Sequence, residues 1–155
     1  MIKIFDKFLS IDEHNFVLEY CLKASFTYGE TDRLETPPTG MVCGIDPTNE
    51  IYELFKSKTE DLVTDLSLYR MYINCFAPSE FPYFHTDGKG ITFLYYPTNR
   101  WNVDMGGETQ FIIDNEIKGI FPIPNRLVMF DGDILHRATA FRSMHRFTLA
   151  IKYKH

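Results

Sequence analysis

The sequence has 155 residues, 45% hydrophobic and 15% aromatic, a composition that predicts one packed domain and excludes a disordered chain. The 16 basic and 21 acidic residues give a formal net charge of −5, which argues against binding to nucleic acid or anionic lipid through overall charge. Three cysteines without a CxxC pair argue against a disulfide framework and predict a reducing, cytoplasmic location. No segment approaches the roughly 18–20 apolar residues of a membrane span, so no membrane association is expected.

The N-terminal part of the chain predicts two helices. Ser10 is a candidate N-cap for "IDEHNFVLEYCLKASF", because Glu13 follows at the spacing of a capping box. Apolar residues then recur at helical spacing and predict a helix over about residues 11–25. The segment "PTNEIYELFKSKTEDL" predicts a second helix, with Thr48 or Asn49 at its N-terminus.

Residues 28–40 predict a long loop between the helices. The stretch "TYGETDRLETPPTG" is polar, contains paired prolines and has glycines near both ends. Loops of this length without internal secondary structure are often lids or binding loops. A plain surface connection is the alternative, and the sequence leaves this choice open.

From residue 67 the sequence predicts short β-strands. The segments "LSLYRMYINCF", "GITFLYY", "TQFIID", "RLVMF" and "RFTLAIKY" are rich in β-branched and aromatic residues and are separated by turn formers. We expect a mainly β fold with N-terminal helices (α+β), in which the strands form a sandwich or barrel of the jelly-roll kind. Residues 1–155 are predicted to be a single domain, with 1–66 as helical and loop support and 67–155 as the jelly-roll core.

The segment "FHTDGKG" contains a candidate metal site. If it is extended, His85 and Asp87 point to the same side and offer two ligands to a divalent transition metal. His136 is the best third ligand, because "RLVMFDGDILH" places it just after a tight Asp-Gly turn, whereas His14 is expected to be solvated on the first helix. Two histidines and one carboxylate form the facial triad used by non-haem Fe(II) oxygenases. Glu108 is a rival carboxylate, although the glycines before it favour a turn.

These motifs resemble the Fe(II)/2-oxoglutarate-dependent dioxygenases, particularly the prolyl-4-hydroxylase-like branch. That family has a His-x-Asp, a distant second histidine and, about ten residues later, an arginine or lysine; here these are His85, Asp87, His136 and Arg146. The segments "ITFLYYPTNRW" and "GGETQF" resemble further parts of the branch, and "IFDKFLSIDEH" resembles its opening strand and helix. The resemblance implies a double-stranded β-helix (jelly-roll) core.

The resemblance also implies cofactors and roles. Fe(II) would be held by the catalytic triad, with 2-oxoglutarate as cosubstrate, O2 as oxidant and ascorbate as a reductant. Arg146 would bind the distal carboxylate of 2-oxoglutarate, for which its forked guanidinium group is suited. The implied cosubstrate-binding residues are Arg146, Tyr96, Thr148 and Thr109.

The sequence departs from the family at one position. Relatives carry a tyrosine about nine or ten residues before the His-x-Asp, on the strand that lines the cosubstrate. Here that place falls on Cys75 or Phe76, neither of which replaces a phenol hydroxyl well. Tyr72 or Tyr69 would compensate through a shift of register, and the sequence does not decide between these readings.

The function expected first is hydroxylation of a prolyl residue in a peptide or protein. The loop of residues 28–40 and the side chains of Arg100 and Trp101 are candidate contacts for such a substrate; within the loop, Tyr28, Arg33, Pro37 and Pro38 would supply them, and Gly29 and Gly40 would permit closure. A free amino acid or small metabolite is the alternative substrate. A nucleic-acid demethylase, which carries a second arginine where this chain has Lys152, and a non-catalytic metal-binding jelly-roll module are further alternatives. The sequence gives no oligomeric state.

Overall fold

The computed structural model describes all 155 residues, which form ten β-strands, two α-helices and two short 3₁₀ turns. In chain order the strands and helices are β1 (Ile2–Phe5), α1 (Ile11–Lys23), β2 (Thr27–Tyr28), β3 (Met41–Gly44), α2 (Glu50–Thr59), β4 (Ser67–Phe76), β5 (Ile91–Tyr96), β6 (Thr109–Ile113), β7 (Glu116–Ile120), β8 (Arg126–Asp131), β9 (His136–Ala138) and β10 (Arg146–Lys154). Both predicted helices and all five predicted strand segments are confirmed.

Capping side chains start both helices where the sequence predicts. The hydroxyl of Ser10 accepts a hydrogen bond from the Glu13 amide, and the Glu13 carboxylate accepts one from the Ser10 amide, which completes the capping box. Asn49 rather than Thr48 caps α2, since its side-chain oxygen accepts from the Ile51 amide.

The strands form two antiparallel sheets. The larger has seven strands in the order β1-β8-β5-β10-β4-β3-β2, and the smaller has three in the order β7-β6-β9. Three strands of the larger sheet come from the first 66 residues, because β1 pairs with β8 and the β2–β3 hairpin extends the sheet beyond β4. The N-terminal part therefore supplies sheet edges as well as helices.

Alternation along the central strands divides the core into two layers. One set of strand side chains packs against α1 and α2, where Val17 and Phe55 are fully buried. The alternate set faces the smaller sheet and includes Tyr96, Phe111 and Phe130. The larger sheet thus has the helices on one face and the smaller sheet on the other, which explains why its strands are apolar on both sides.

His14 is not solvated as the sequence analysis expected. It is buried, and its Nδ1 lies 2.5 Å from the hydroxyl of Tyr95 on β5.

No helix is long and apolar enough to cross a membrane. The three cysteines are free.

Candidate active site

The two candidate histidine ligands are joined by an isolated backbone bridge between His85 and the first residue of β9, His136. The His85 amide donates to the His136 carbonyl at 2.9 Å, and the His136 amide donates back to the His85 carbonyl at 2.9 Å. The Asp87 amide donates to the carbonyl of Gly132 at 2.7 Å. His85 forms an isolated bridge to His136 rather than part of a longer strand, and backbone hydrogen bonds hold the chain at both His85 and Asp87.

Backbone carbonyls set the orientation of both imidazole rings. Nδ1 of His85 lies 3.0 Å from the Tyr83 carbonyl, and Nδ1 of His136 lies 2.8 Å from the Ile134 carbonyl. A carbonyl oxygen only accepts, so each Nδ1 carries the proton and each Nε2 keeps a free lone pair. The two Nε2 atoms lie 3.8 Å and 3.7 Å from the two carboxylate oxygens of Asp87.

The three side chains form a donor set that fits a divalent transition metal. One ligand atom from each of His85, Asp87 and His136 lies within 4.8 Å of the others. Burial lowers the pKa of His136 to about 4, although the Asp87 carboxylate opposes this effect. The imidazole is therefore neutral near pH 7, the state in which it binds metal. Two imidazole nitrogens and one carboxylate suit Fe(II) and similar ions.

Lys152 completes this cluster, in a position that the sequence pattern does not predict. Its Nζ donates to Oδ1 of Asp87 at 2.6 Å, while the Thr92 hydroxyl donates to Oδ2 at 2.7 Å. Burial alone would raise the pKa of the Asp87 carboxyl, but Lys152 and His136 hold it below its ordinary value. A carboxylate has about four acceptor positions, so capacity for a metal remains after these two bonds.

A cavity of about 310 Å³ extends from the three metal-ligand candidates into the space between the sheets. Arg146 lies in its wall and is only 1% exposed. Its guanidinium group donates to the Gly107 carbonyl at 2.8 Å, to the Thr148 hydroxyl at 2.6 Å and to the Thr109 hydroxyl at 2.9 Å. Both threonines also line the cavity.

The charge of Arg146 has no counter-ion in the protein. All three acceptors are neutral oxygens, and no carboxylate lies within ion-pair distance. Burial lowers the pKa of the guanidinium group, with Tyr96 and Glu108 offsetting this only in part. Because an unpaired buried cation is costly, an anionic ligand in the cavity would satisfy this site.

Tyr96 contacts Arg146 and Thr109, two residues of the cavity wall, from the side away from the cavity. It is completely buried, its hydroxyl lies 2.7 Å from the Thr109 hydroxyl, and its ring lies 5.6 Å from the guanidinium carbon of Arg146. Tyr96 is not among the residues that line the cavity. Its predicted contact with a cosubstrate carboxylate stays a prediction; in the structure it holds Thr109.

The pairing of β4 with β10 separates the two residues, Cys75 and Phe76, at which the sequence resemblance expected a tyrosine. Phe76 is the partner of Arg146 and lines the cavity, whereas Cys75 is the partner of Phe147 and does not. No hydroxyl therefore stands at this position. Tyr72 also lines the cavity, but it pairs with Ala150, further along the strand towards Lys152.

The remaining candidates lie away from the metal ligands. The Glu108 carboxylate accepts from Gln110 at 3.0 Å and is not part of the metal-ligand cluster. Trp101 donates to the Gly106 carbonyl at 2.8 Å and stacks on Phe121. Arg100 and Trp101 line a separate, smaller pocket.

Solved structures similar to this chain share its fold over almost its full length. A prolyl-4-hydroxylase from Pseudomonas putida matches with a TM-score of 0.81 and 16% identity, covering 99% of this chain and 91% of that chain. A prolyl hydroxylase from Trichoplax adhaerens, in complex with a peptide fragment of the hypoxia inducible factor oxygen degradation domain, matches with a TM-score of 0.79 and 19% identity over 98% of this chain and 82% of that one. HygX from Streptomyces hygroscopicus, with nickel, 2-oxoglutarate and hygromycin B bound, matches with a TM-score of 0.76 and 8% identity over 98% and 82%.

No family model and no curated protein matches the sequence. The structural matches define the fold as the double-stranded β-helix of the 2-oxoglutarate/Fe(II) oxygenases, as the sequence motifs predicted. Within that fold the matched structures include prolyl hydroxylases.

Proposed function

We propose that this protein is an Fe(II)- and 2-oxoglutarate-dependent dioxygenase that hydroxylates an unactivated C–H bond. The observation that carries the proposal is that one cavity joins two kinds of site: a two-histidine, one-carboxylate cluster and a buried arginine without a counter-ion. The first matches a non-haem iron and the second matches the carboxylate of a keto acid.

Each residue has a role that follows from its contacts. His85, Asp87 and His136 would hold Fe(II), and the carbonyls behind the two imidazoles keep their Nε2 atoms turned inward. Bound Fe(II) would supply the chemistry in which 2-oxoglutarate becomes succinate and CO2 while one oxygen atom of O2 enters the substrate C–H bond. Arg146, aligned by the two threonines, would anchor the cosubstrate's distal carboxylate in the water-poor interior.

A proline in a peptide or protein is the substrate we favour. Two of the matched structures described above are prolyl hydroxylases, one of them holding a peptide. Segment 28–40 and residues near Pro82 border the cavity, and they carry the exposed apolar side chains of Leu34 and Phe81. Such side chains offer contact area to an extended peptide.

A small molecule is the second candidate. The HygX structure holds hygromycin B, and the cavity border here contains the charged pair of Glu30 and Arg70. A free amino acid or a polar metabolite would find complementary charges there. A nucleic-acid demethylase is less favoured, because Lys152 is paired with Asp87 and the chain has a net charge of −5.

Mass spectrometry tests the substrate assignment. The protein is incubated under air with Fe(II), ascorbate, 2-oxoglutarate and panels of proline peptides and free amino acids. We expect proline peptides to gain one oxygen atom. Product from free proline or another small molecule, without product from any peptide, would move the assignment to the second candidate.

Isothermal titration tests the cosubstrate site separately. Arg146→Ala should weaken 2-oxoglutarate binding by about 2–5 kcal/mol, which is about one and a half to three and a half decades in Kd. The matched control is Arg100→Ala, since Arg100 is exposed and lies outside this cavity. Equal binding by both variants would show that another residue holds the carboxylate.

A further inference from the structure

Within segment 28–40, the carboxylate of Asp32 lies next to His85, one of the candidate metal ligands. Its side chain is only 14% exposed. Oδ2 accepts hydrogen bonds from the Tyr83 amide at 2.8 Å and from the Thr39 hydroxyl at 3.0 Å. Oδ1 lies 3.5 Å from Nδ1 of His85, on the side of the ring away from the other two ligands.

These contacts place Asp32 behind a metal ligand in two ways. It holds the backbone amide of Tyr83, and the carbonyl of the same residue accepts the Nδ1 proton of His85 and so keeps Nε2 free. It also places a negative charge next to the same Nδ1–H. Outer carboxylates and carbonyls of this kind orient a ligating imidazole and increase its basicity.

The other ion pairs and hydrogen bonds of segment 28–40 do not involve the candidate metal ligands. Glu30 pairs with Arg70 at 2.5 Å, and the Gly40 amide donates to the Glu80 carboxylate at 2.8 Å. These bonds hold the segment near its two ends. Only Asp32 gives it a polar contact with a member of the triad.

We propose that Asp32 is a positioning residue that couples segment 28–40 to the metal site, so that metal binding and ordering of the segment favour each other. A divalent ion on Nε2 draws electron density from the ring and makes Nδ1–H a stronger partner for the carboxylate. By linkage, an ordered segment then strengthens metal binding to the same degree. The inference rests on the proposed metal role of His85 but on no cosubstrate and no reaction.

Metal titration tests the coupling without catalysis. Co(II) alone is titrated into the metal-free wild type and into Asp32→Ala, with folding checked by circular dichroism. We expect Asp32→Ala to bind Co(II) about 10–100-fold more weakly. Asp32→Asn, which keeps an acceptor for the Tyr83 amide but loses the charge, serves as a second variant and should retain only part of the affinity.

Glu30→Gln is the matched control, because it removes the charge that pairs with Arg70 and so weakens another contact of the same segment, without touching His85. It should leave Co(II) affinity close to wild type. Hydrogen exchange gives the reciprocal readout: Co(II) should slow amide exchange in residues 28–40 of the wild type and of Glu30→Gln, but not of Asp32→Ala.

The outcomes separate the two levels of the proposal. If the wild type binds no Co(II), the proposed metal function fails and the coupling fails with it. If the wild type binds Co(II) and both Asp32 variants bind it equally well, the metal site stands and the coupling is wrong. Equal weakening by Glu30→Gln would also overturn the role of Asp32, since any loosening of the segment would then suffice.

Discussion

Replacing Lys152 by methionine should destabilise the metal-free protein and make its stability depend strongly on added metal. The ammonium group donates to Asp87 at 2.6 Å, and the two side chains are only 11% and 6% exposed. Removing one partner of such a buried pair costs about 3–5 kcal/mol, because the other charge is left without compensation. For a domain of this size that corresponds to a fall in Tm of roughly 6–20 °C.

A divalent ion would replace the missing positive charge beside Asp87. Excess Mn(II) should therefore raise the Tm of Lys152→Met by more than it raises that of the wild type. Thermal melts in chelator and in Mn(II), followed by circular dichroism, measure both quantities.

Two further variants serve as controls for Lys152→Met: one at an exposed lysine and one that also removes the charge of Asp87. Lys154→Met is the matched control on the same strand, since Lys154 is exposed and contacts only the ring of Tyr69, and its stability should change by less than about 1 kcal/mol. Adding Asp87→Asn to Lys152→Met removes the uncompensated charge, so the double variant should be less destabilised than the sum of the single variants. A Tm for Lys152→Met within a degree or two of wild type, or an equal Mn(II) effect on both proteins, would refute this reasoning.

Four other substitutions have outcomes that follow from the structure. Tyr96→Phe should weaken 2-oxoglutarate binding by about 0.5–1.5 kcal/mol in isothermal titration, since it loses one neutral hydrogen bond that holds the cavity wall; unchanged binding would show that the hydroxyl is dispensable. Gly90→Ala should prevent stable folding, because its Cβ would lie 2.1 Å from the Tyr153 carbonyl oxygen at a φ of +141°. Gly88→Ala, at a φ of +84° but in open space, should cost only about 1–3 kcal/mol in urea unfolding, and similar losses in the two alanine variants would contradict the steric argument. Burial lowers the pKa of His14 below its ordinary value, so the unfolded chain binds more protons and stability should fall as the pH drops below about 6.5. His14→Gln should reduce this dependence in urea midpoints measured between pH 7.5 and pH 5, the remainder coming from buried His136, and an equally steep fall would show that His14 does not contribute.

The sequence predicts the central part of the fold because local chemistry and tertiary structure agree there. Strands β5, β8 and β10 and the second half of β4 are buried on both faces, and their β-branched and aromatic residues mark them directly. The cluster of candidate metal ligands was also predictable, since His85 and Asp87 lie two positions apart in the sequence and few other histidines compete. The alternation of β10 then correctly places Arg146 and Thr148 on one face.

What the sequence could not give depends on pairing between distant segments. The strand β7 is short and mostly exposed, so no apolar pattern marks it. The position of Lys152 at Asp87 is set by the register of β10 against β4 and β5, and a lysine near the chain end otherwise resembles a surface residue. The same register decides that Phe76 lines the cavity and Cys75 does not. His14 is buried because α1 packs on β5, which the pattern within the helix does not show. The cytoplasmic location stays a prediction.

The most direct test of the proposed function is the formation of succinate from 2-oxoglutarate under air, with Fe(II) and ascorbate present. We predict that the wild type forms succinate and CO2 in equal amounts, that chelation of the metal stops the reaction, and that His136→Ala, which lacks one ligand of the triad, forms none. The proposal would be contradicted if the wild type forms no succinate with any peptide or small molecule in the panel, or if His136→Ala forms it at the wild-type rate.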